Sequence, residues 1–385
     1  MLVASLGQSS VFTRSGERQL WVLGEDEALL WELHSLAVNA SDTATLLAQR
    51  FGLSPSQAQS MFDKHLSKWR SVGLLPDANP GKDCPEVAPW EELIQFPPAV
   101  AADLKASDFL LSVAQRTIIL RLGDEALHMR IAPLIAHLRV SGFGWDQVPA
   151  VDLIEHTGEA SNWQLLVNGA IMVDGQGQDE AVVSILKLLS DIGSRTAERL
   201  LVVHGAGLVS PTGHCFLMAA TGGAGKTTLA VALEAEGYRL LSDDVVPIDR
   251  EGAAVGLGLP ACIKSGSWDV LQPYRPDLAA VVETSRFGQL VRYLPPRHPV
   301  ASKHLPPRLL LFPSYRPDQE AAFHWLSPEE ALQRLVAADA VIRDLTQKKL
   351  EDLSQWVSSM PAYAIQYPSL VRGTALVQTL LGRLG

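Results

Sequence analysis

The sequence predicts a multidomain α/β protein: an N-terminal winged-helix-sized module, then an α/β domain organised around a phosphate-binding loop. Three observations predict it. Two strand-like and three helix-like segments crowd into about the first 75 residues. Six prolines fall between Pro76 and Pro98 among Gly, Asp and Asn, which is linker composition. Beyond them, an apolar strand, a glycine-rich turn and a helix at 214–237 are followed at once by a short strand ending in Asp243 and Asp244. The expected boundaries are a module over 1–80, a linker over 81–98, a mixed α/β subdomain over 99–198 and a loop-bearing domain with C-terminal helices over 199–385.

In the front module, residues 9–23 alternate polar and apolar around the turn "RSGER", which predicts a hairpin. One helix is expected from Glu25 to Leu36 and a second after Ser41-Asp42, stopping at Gly52. The third has Ser54 as N-cap, Pro55 at the first helical position and Gln57 closing a capping box, with Phe62, Leu66 and Trp69 on one face. In the middle of the chain "TIILRL" and "NWQLLVNGAIMV" predict strands, and a helix is expected over 179–200. Helices are also expected from Ser327 onward, over 345–358 and over 369–384.

Composition excludes several function classes. The longest apolar runs, such as "LLVV" at 200–203, fall far short of the roughly 20 residues that span a bilayer, so no membrane segment is expected. "MLVASLGQSSVF" lacks the basic start and cleavage site of a secretory signal. Cys84, Cys215 and Cys262 are scattered and odd in number, which points to a reducing, cytoplasmic setting. A net charge of -10 opposes nucleic-acid binding. Against that background Lys264, Arg275, Arg286, Arg292, Arg297, Lys303 and Arg308 outnumber Asp269, Asp277 and Glu283 between 261 and 310. That local excess suits either an anionic ligand or a solvated basic surface.

The chemistry concentrates at "TGGAGKTT". Gly222, Gly223, Ala224 and Gly225 let successive backbone N–H groups turn toward a β-phosphate, and the helix N-terminus adds its dipole. Lys226 would reach the β- and γ-phosphates of ATP; the Thr227 hydroxyl would ligate Mg2+, and Thr228 completes the motif. Ala220 stands where the pattern usually has its first glycine, a position that asks for a small residue. Asp243 lies 17 residues after Lys226, just enough for a helix and a return strand. A parallel strand beside the loop strand would deliver both carboxylates to the same sheet edge. One would take a proton from an attacking hydroxyl and the other would hold the metal. The bland reading is that both aspartates only cap a turn.

Together "VVHGAGLV", "GGAGKTTLA" and "EGYRLLSDD" resemble the core of the HPr kinase family, bacterial enzymes that phosphorylate a serine side chain. Carried over by position, the resemblance implies that Lys226 and Thr227 serve nucleotide and magnesium, Asp243 is the base, Asp244 is a metal-side carboxylate and His204 helps near the transferred phosphate. It also implies a homo-oligomer. "LPACIKSGSW" and "PPRLLLFPSY" are more similar to HPr-kinase-related enzymes that modify ribosomally made peptides, including lasso-peptide kinases, and make Lys264 and Arg308 candidates for phosphate or peptide contacts.

Residues 9–75 resemble the PqqD-like peptide-recognition domain, in which a precursor's leader peptide adds a strand to the sheet edge beside the third helix. The corresponding elements are 19–23 and 55–72, with Trp21 and Trp69 offering apolar pockets or serving as ordinary core. The expectation is an ATP-dependent kinase acting on a Ser or Thr hydroxyl of a leader-bearing precursor peptide. Two other readings are a nucleotide-sensing, DNA-binding winged helix and a leader-binding scaffold without catalysis. Residues 1–80 carry six Lys or Arg against eight Asp or Glu, which disfavours DNA.

Overall fold

Alternation at the start of the chain makes a strand: along Leu2–Leu6, Ala4 and Leu6 are buried while Val3 and Ser5 face outward. This computed structural model describes residues 2–13, 20–24, 27–28, 30–31, 40–72, 74–75, 108–140, 150–156, 162–194, 199–298, 304–342 and 344–384. The turn at 14–18, most of the helix expected over 25–36, the proline-rich linker, Cys84 and Lys303 lie outside the described residues. The protein is a mixed α/β structure that folds as two compact units. One is Met1–Glu86 with Ser327–Glu329 and Asp344–Ser359, and the other is Val87–Leu326 with Glu330–Arg343 and Met360–Gly385. Among the described residues no helix is long and apolar enough to cross a membrane.

In the first unit Leu2–Leu6, Ser9–Thr13 and Trp21–Leu23 form an antiparallel three-stranded sheet, one strand more than the sequence suggested. Helices Ala40–Phe51 and Pro55–Ser71 accompany it. The expected capping box is present: the Gln57 amide N–H donates to Ser54 Oγ at 3.3 Å, and the Ser54 N–H donates to Gln57 Oε1 at 3.0 Å. Phe62 and Trp69 enter the core with Phe12, Trp21, Trp31 and Leu47, and Trp31 meets Trp69 edge-on with centroids 5.1 Å apart. Helix Gln347–Ser359 belongs to this unit, a difference from the expected 199–385 span. Its Gln347 amide accepts from Val3 N at 3.2 Å and donates to Val3 O at 2.6 Å, doing for that strand edge what another strand would do.

Among the described residues the larger unit holds three sheets. Phe109–Val113, Arg116–Leu122, Ala150–His156, Asn162–Val167 and Ala170–Gln176 pair in that order, and their core includes residues of helices Glu125–Ile135 and Gln178–Ser194. The second helix ends at Ser194 rather than near 200, because Arg199 already begins a strand. A nine-stranded sheet runs His304–Leu305, Ala254–Val255, Val245–Asp249, Arg199–Val209, Cys215–Ala219, Pro307–Tyr315, Ala362–Tyr367, Ala322–Leu326, with Arg239–Ser242 also paired to Arg199–Val209. Helices Lys226–Ala235 and Leu370–Gly382 share an apolar cluster with it. A third, small antiparallel sheet is Ala261–Lys264, Gln289–Leu294 and Glu283–Arg286.

Candidate functional site

The loop strand Cys215–Ala219 is wholly buried and stops where the glycines begin. Gly223 and Gly225 take φ values of +83° and +91°, which a side chain would resist. A Cβ on Gly225 would also sit 2.8 Å from Tyr367 Oη. Gly225 is the N-cap of helix Lys226–Ala235 and no side chain caps that end, so the first-turn amides carry their partial positive charge toward the adjoining cavity. Lys226 is buried, and its ammonium donates to the carbonyls of Ala220 and, at 3.2 Å, Thr221. Ala220 contributes its backbone oxygen there, a role that needs no glycine. Burial lowers the Lys226 pKa, partly offset by the charges of Asp243 and Asp244. Thr228 Oγ1 lies 2.9 Å from Ser267 Oγ.

The aspartates arrive by a different route from the expected one. Arg239–Ser242 does not lie beside the loop strand, because Arg199–Val209 runs between them, antiparallel to both. Two antiparallel steps restore the parallel direction, so the carboxyl ends of both strands still reach one edge. The intervening strand carries His204 and Gly205 to that edge, with Gly205 opposite Ala219 and His204 opposite Val245. A Cβ at Gly205 would lie 2.1 Å from Met218 O, so only glycine permits this approach. Asp244 turns the chain with φ +68°, a conformation that Asp tolerates better than most residues, and its carbonyl accepts from Gly205 N at 3.1 Å. The site thus depends on a central strand that sequence spacing could not order.

The two carboxylates have different surroundings. Asp243 is buried and accepts from Thr227 Oγ1 at 3.0 and 3.1 Å. Burial, reinforced by the charge of Asp244, pushes its pKa up to about 7 despite that hydrogen bond. Asp244 is half-exposed, 3.8 Å from His204 Nε2 and 3.3 Å from Arg286 Nη2. Arg286 Nη1 also donates to Cys262 Sγ at 3.1 Å, so the small sheet ties its Arg286 and Cys262 to the aspartate turn. Burial raises the Cys262 thiol pKa, which argues for a neutral acceptor rather than a thiolate nucleophile.

Two cavities adjoin. One, of about 150 Å³, is lined by Gly222 to Thr228 with His204, Lys264 and Ser267. The other, of about 240 Å³, is mostly apolar. Asp243, Asp244, Cys262 and Arg286 line both.

The structure therefore brings together His204, the whole of 222–228, Asp243, Asp244 and Lys264. Three expected contacts fall elsewhere. Arg308 follows Pro307, which pairs with Cys215 at the start of the loop strand, and its guanidinium is 3.5 Å from His214. The glycine turn begins at the other end of that strand, roughly 13 Å away at 3.3 Å per residue. Trp21 and Trp69 are core residues, with indole N–H groups bonded to Val72 O and Glu27 Oε1, so neither forms a surface pocket. Sequence reading missed Ser267, Cys262 and Arg286 as site residues. Only the basic excess over 261–310 hinted at Arg286, and part of that excess is structural: Arg275 is buried against Glu234, and Arg292 stacks over Trp268. No family model matches the chain, and no curated protein matches it.

Proposed function

We propose that the protein is an ATP- and Mg2+-dependent kinase that phosphorylates a Ser or Thr hydroxyl of a precursor peptide captured by its N-terminal unit. The observation that carries this reading is the bond from Thr227, first turn of the glycine-loop helix, to Asp243 of the carboxylate pair. It joins a phosphate cradle to two acids at one edge, the combination phosphoryl transfer requires.

The donor set fits magnesium. A hydroxyl and two neighbouring carboxylates are hard oxygen ligands, and the raised pKa of Asp243 is the electrostatic cost that a divalent cation would offset. Thr227 and Asp243 would hold it. Mg2+ when bound neutralises charge on the β- and γ-phosphate oxygens. That division reverses the roles expected from sequence, since Asp243 meets Thr227 whereas Asp244 meets His204 and Arg286. Asp244, oriented by those two residues, takes the proton as the acceptor oxygen bonds the γ-phosphorus. The bond from that phosphorus to the β–γ bridging oxygen breaks, and ADP leaves. Lys226 and the loop amides hold the phosphates, and Lys264 adds charge at the cavity wall.

For peptide capture, Trp21–Leu23 is the edge strand of the first unit's sheet, and a leader would add to it by main-chain bonds. Incubating precursor peptide with ATP and Mg2+ and weighing the product tests both parts. A gain of one phosphoryl mass that weakens without residues 1–80 is expected. ATP binding without any gain would favour a sensor or scaffold.

A further inference from the structure

We propose that the second cavity is an acceptor subsite that selects a Ser- or Thr-containing peptide segment with a bulky apolar residue beside the hydroxyl, and that Phe287 determines this choice. The proposal rests on the kinase reading and extends it to substrate class.

Position comes first. This cavity meets the nucleotide-side cavity at Asp243, Asp244, Cys262 and Arg286 and is lined by none of the glycine-loop residues 222–228, so a hydroxyl entering from it reaches the carboxylates without passing the loop. An in-line displacement needs an acceptor that enters away from the phosphate cradle. Size comes next. At about 240 Å³ the space is larger than the nucleotide-side cavity of about 150 Å³, enough for a side chain and its flank.

The walls define the chemistry. Val183, Leu186, Val245, Leu259, Pro260 and Tyr293 line it, so the flank they accept is apolar. Lys187, the cation on the rim, is paired with Asp191, leaving no free positive charge there among the described residues. The floor has two carboxylates against Arg286, which disfavours an acidic flank.

Phe287 supplies the selective contact. It sits at the tip of the hairpin between Glu283–Arg286 and Gln289–Leu294, is 84% exposed, and still lines the cavity. Its φ of +51° is unfavourable for an aromatic residue, where glycine would be relaxed. The ring meets the guanidinium of its neighbour Arg286, 6.0 Å from the ring centroid, and is otherwise open to solvent. It gains contact area when an apolar partner arrives. Arg286, the preceding residue, contacts Asp244, so the ring is one residue from the catalytic carboxylate.

The test uses the full chain, ATP, Mg2+ and precursor peptides that keep the leader and have one central Ser or Thr in the core, each flanking position in turn being Leu, Phe, Ala, Lys or Asp. Expected is a preference of about 10-fold or more in kcat/KM for Leu or Phe over Asp at one flanking position. Phe287→Ala should flatten that preference, the loss falling mainly on KM for the Leu and Phe peptides while ATP affinity measured without peptide stays the same, and Phe287→Leu should restore most of it. Phosphorylation with no flank preference, or a preference untouched by Phe287→Ala, overturns the subsite and leaves the kinase reading standing. Normal ATP binding with no peptide phosphorylated sinks the kinase reading, and the subsite with it.

Discussion

Glu27 in the first unit and Asp243 in the larger unit are carboxylates removed from much of their water, yet their protonation moves in opposite directions. Burial pushes the Glu27 pKa up, but hydrogen bonds from Lys68 and Trp69 outweigh it and hold the group below its usual range. Burial pushes Asp243 up too, and the neighbour is another carboxylate, so it stays at about 7. Glu27 is thus satisfied by its own unit and serves stability: it anchors the Trp69 indole in the core. Asp243 lacks a full complement of positive charge, which is how a group waiting for a cation or substrate looks.

The largest effect should separate these roles by kinetics. Asp244→Asn is expected to lower the rate of phosphoryl transfer by about 10²- to 10⁴-fold while ATP affinity changes little, measured by single turnover and equilibrium binding. A normal rate would break the assignment. Lys226→Ala should weaken ATP affinity itself. Trp69→Ala should destabilise the first unit by about 3–5 kcal/mol in denaturant unfolding, with ATP binding by the larger unit unchanged.

A smaller effect sharpens the comparison through pH. The folded-state pKa of Asp243 lies above the ordinary 3.8, so the stability tied to its protonation is full below about pH 4 and lost as pH rises through about 7. In metal-free protein, Asp243→Asn should therefore gain stability relative to wild type between pH 5 and 8, on the order of 4 kcal/mol at most, read as a rise in thermal midpoint. Glu27→Gln should behave oppositely. Its stabilising contribution is present above the ordinary carboxylate pKa and lost as pH falls through the lowered one. Equal pH profiles for the two variants would erase the distinction. Smallest of all, Arg308→Ala should leave transfer rates within about twofold, because its end of the sheet is remote from the loop.

Much of this was legible in residues 200–249 because local rules govern them. The glycines, the short helix and the strand to Ser242 follow from backbone torsion and apolar pattern, and the Ser54 cap follows from three residues of spacing. The initial strand Leu2–Leu6 was missed because five residues carry too little alternation to stand out. Sheet order was misread because chain proximity suggested that Arg239–Ser242 lies beside Cys215–Ala219, whereas the hairpin partner Arg199–Val209 had already taken that edge.

By itself the sequence determined the loop, its lysine and threonine, and the aspartates that follow within one helix and one strand. Those features need only short-range torsional and hydrogen-bonding preferences. The tertiary structure decided which carboxylate meets Thr227, that Arg286 and Cys262 arrive from a separate sheet, and that Trp21 and Trp69 are core. Each of these depends on contacts between residues 16 to 51 positions apart, which are fixed by how sheets pair and how buried charge finds its opposite.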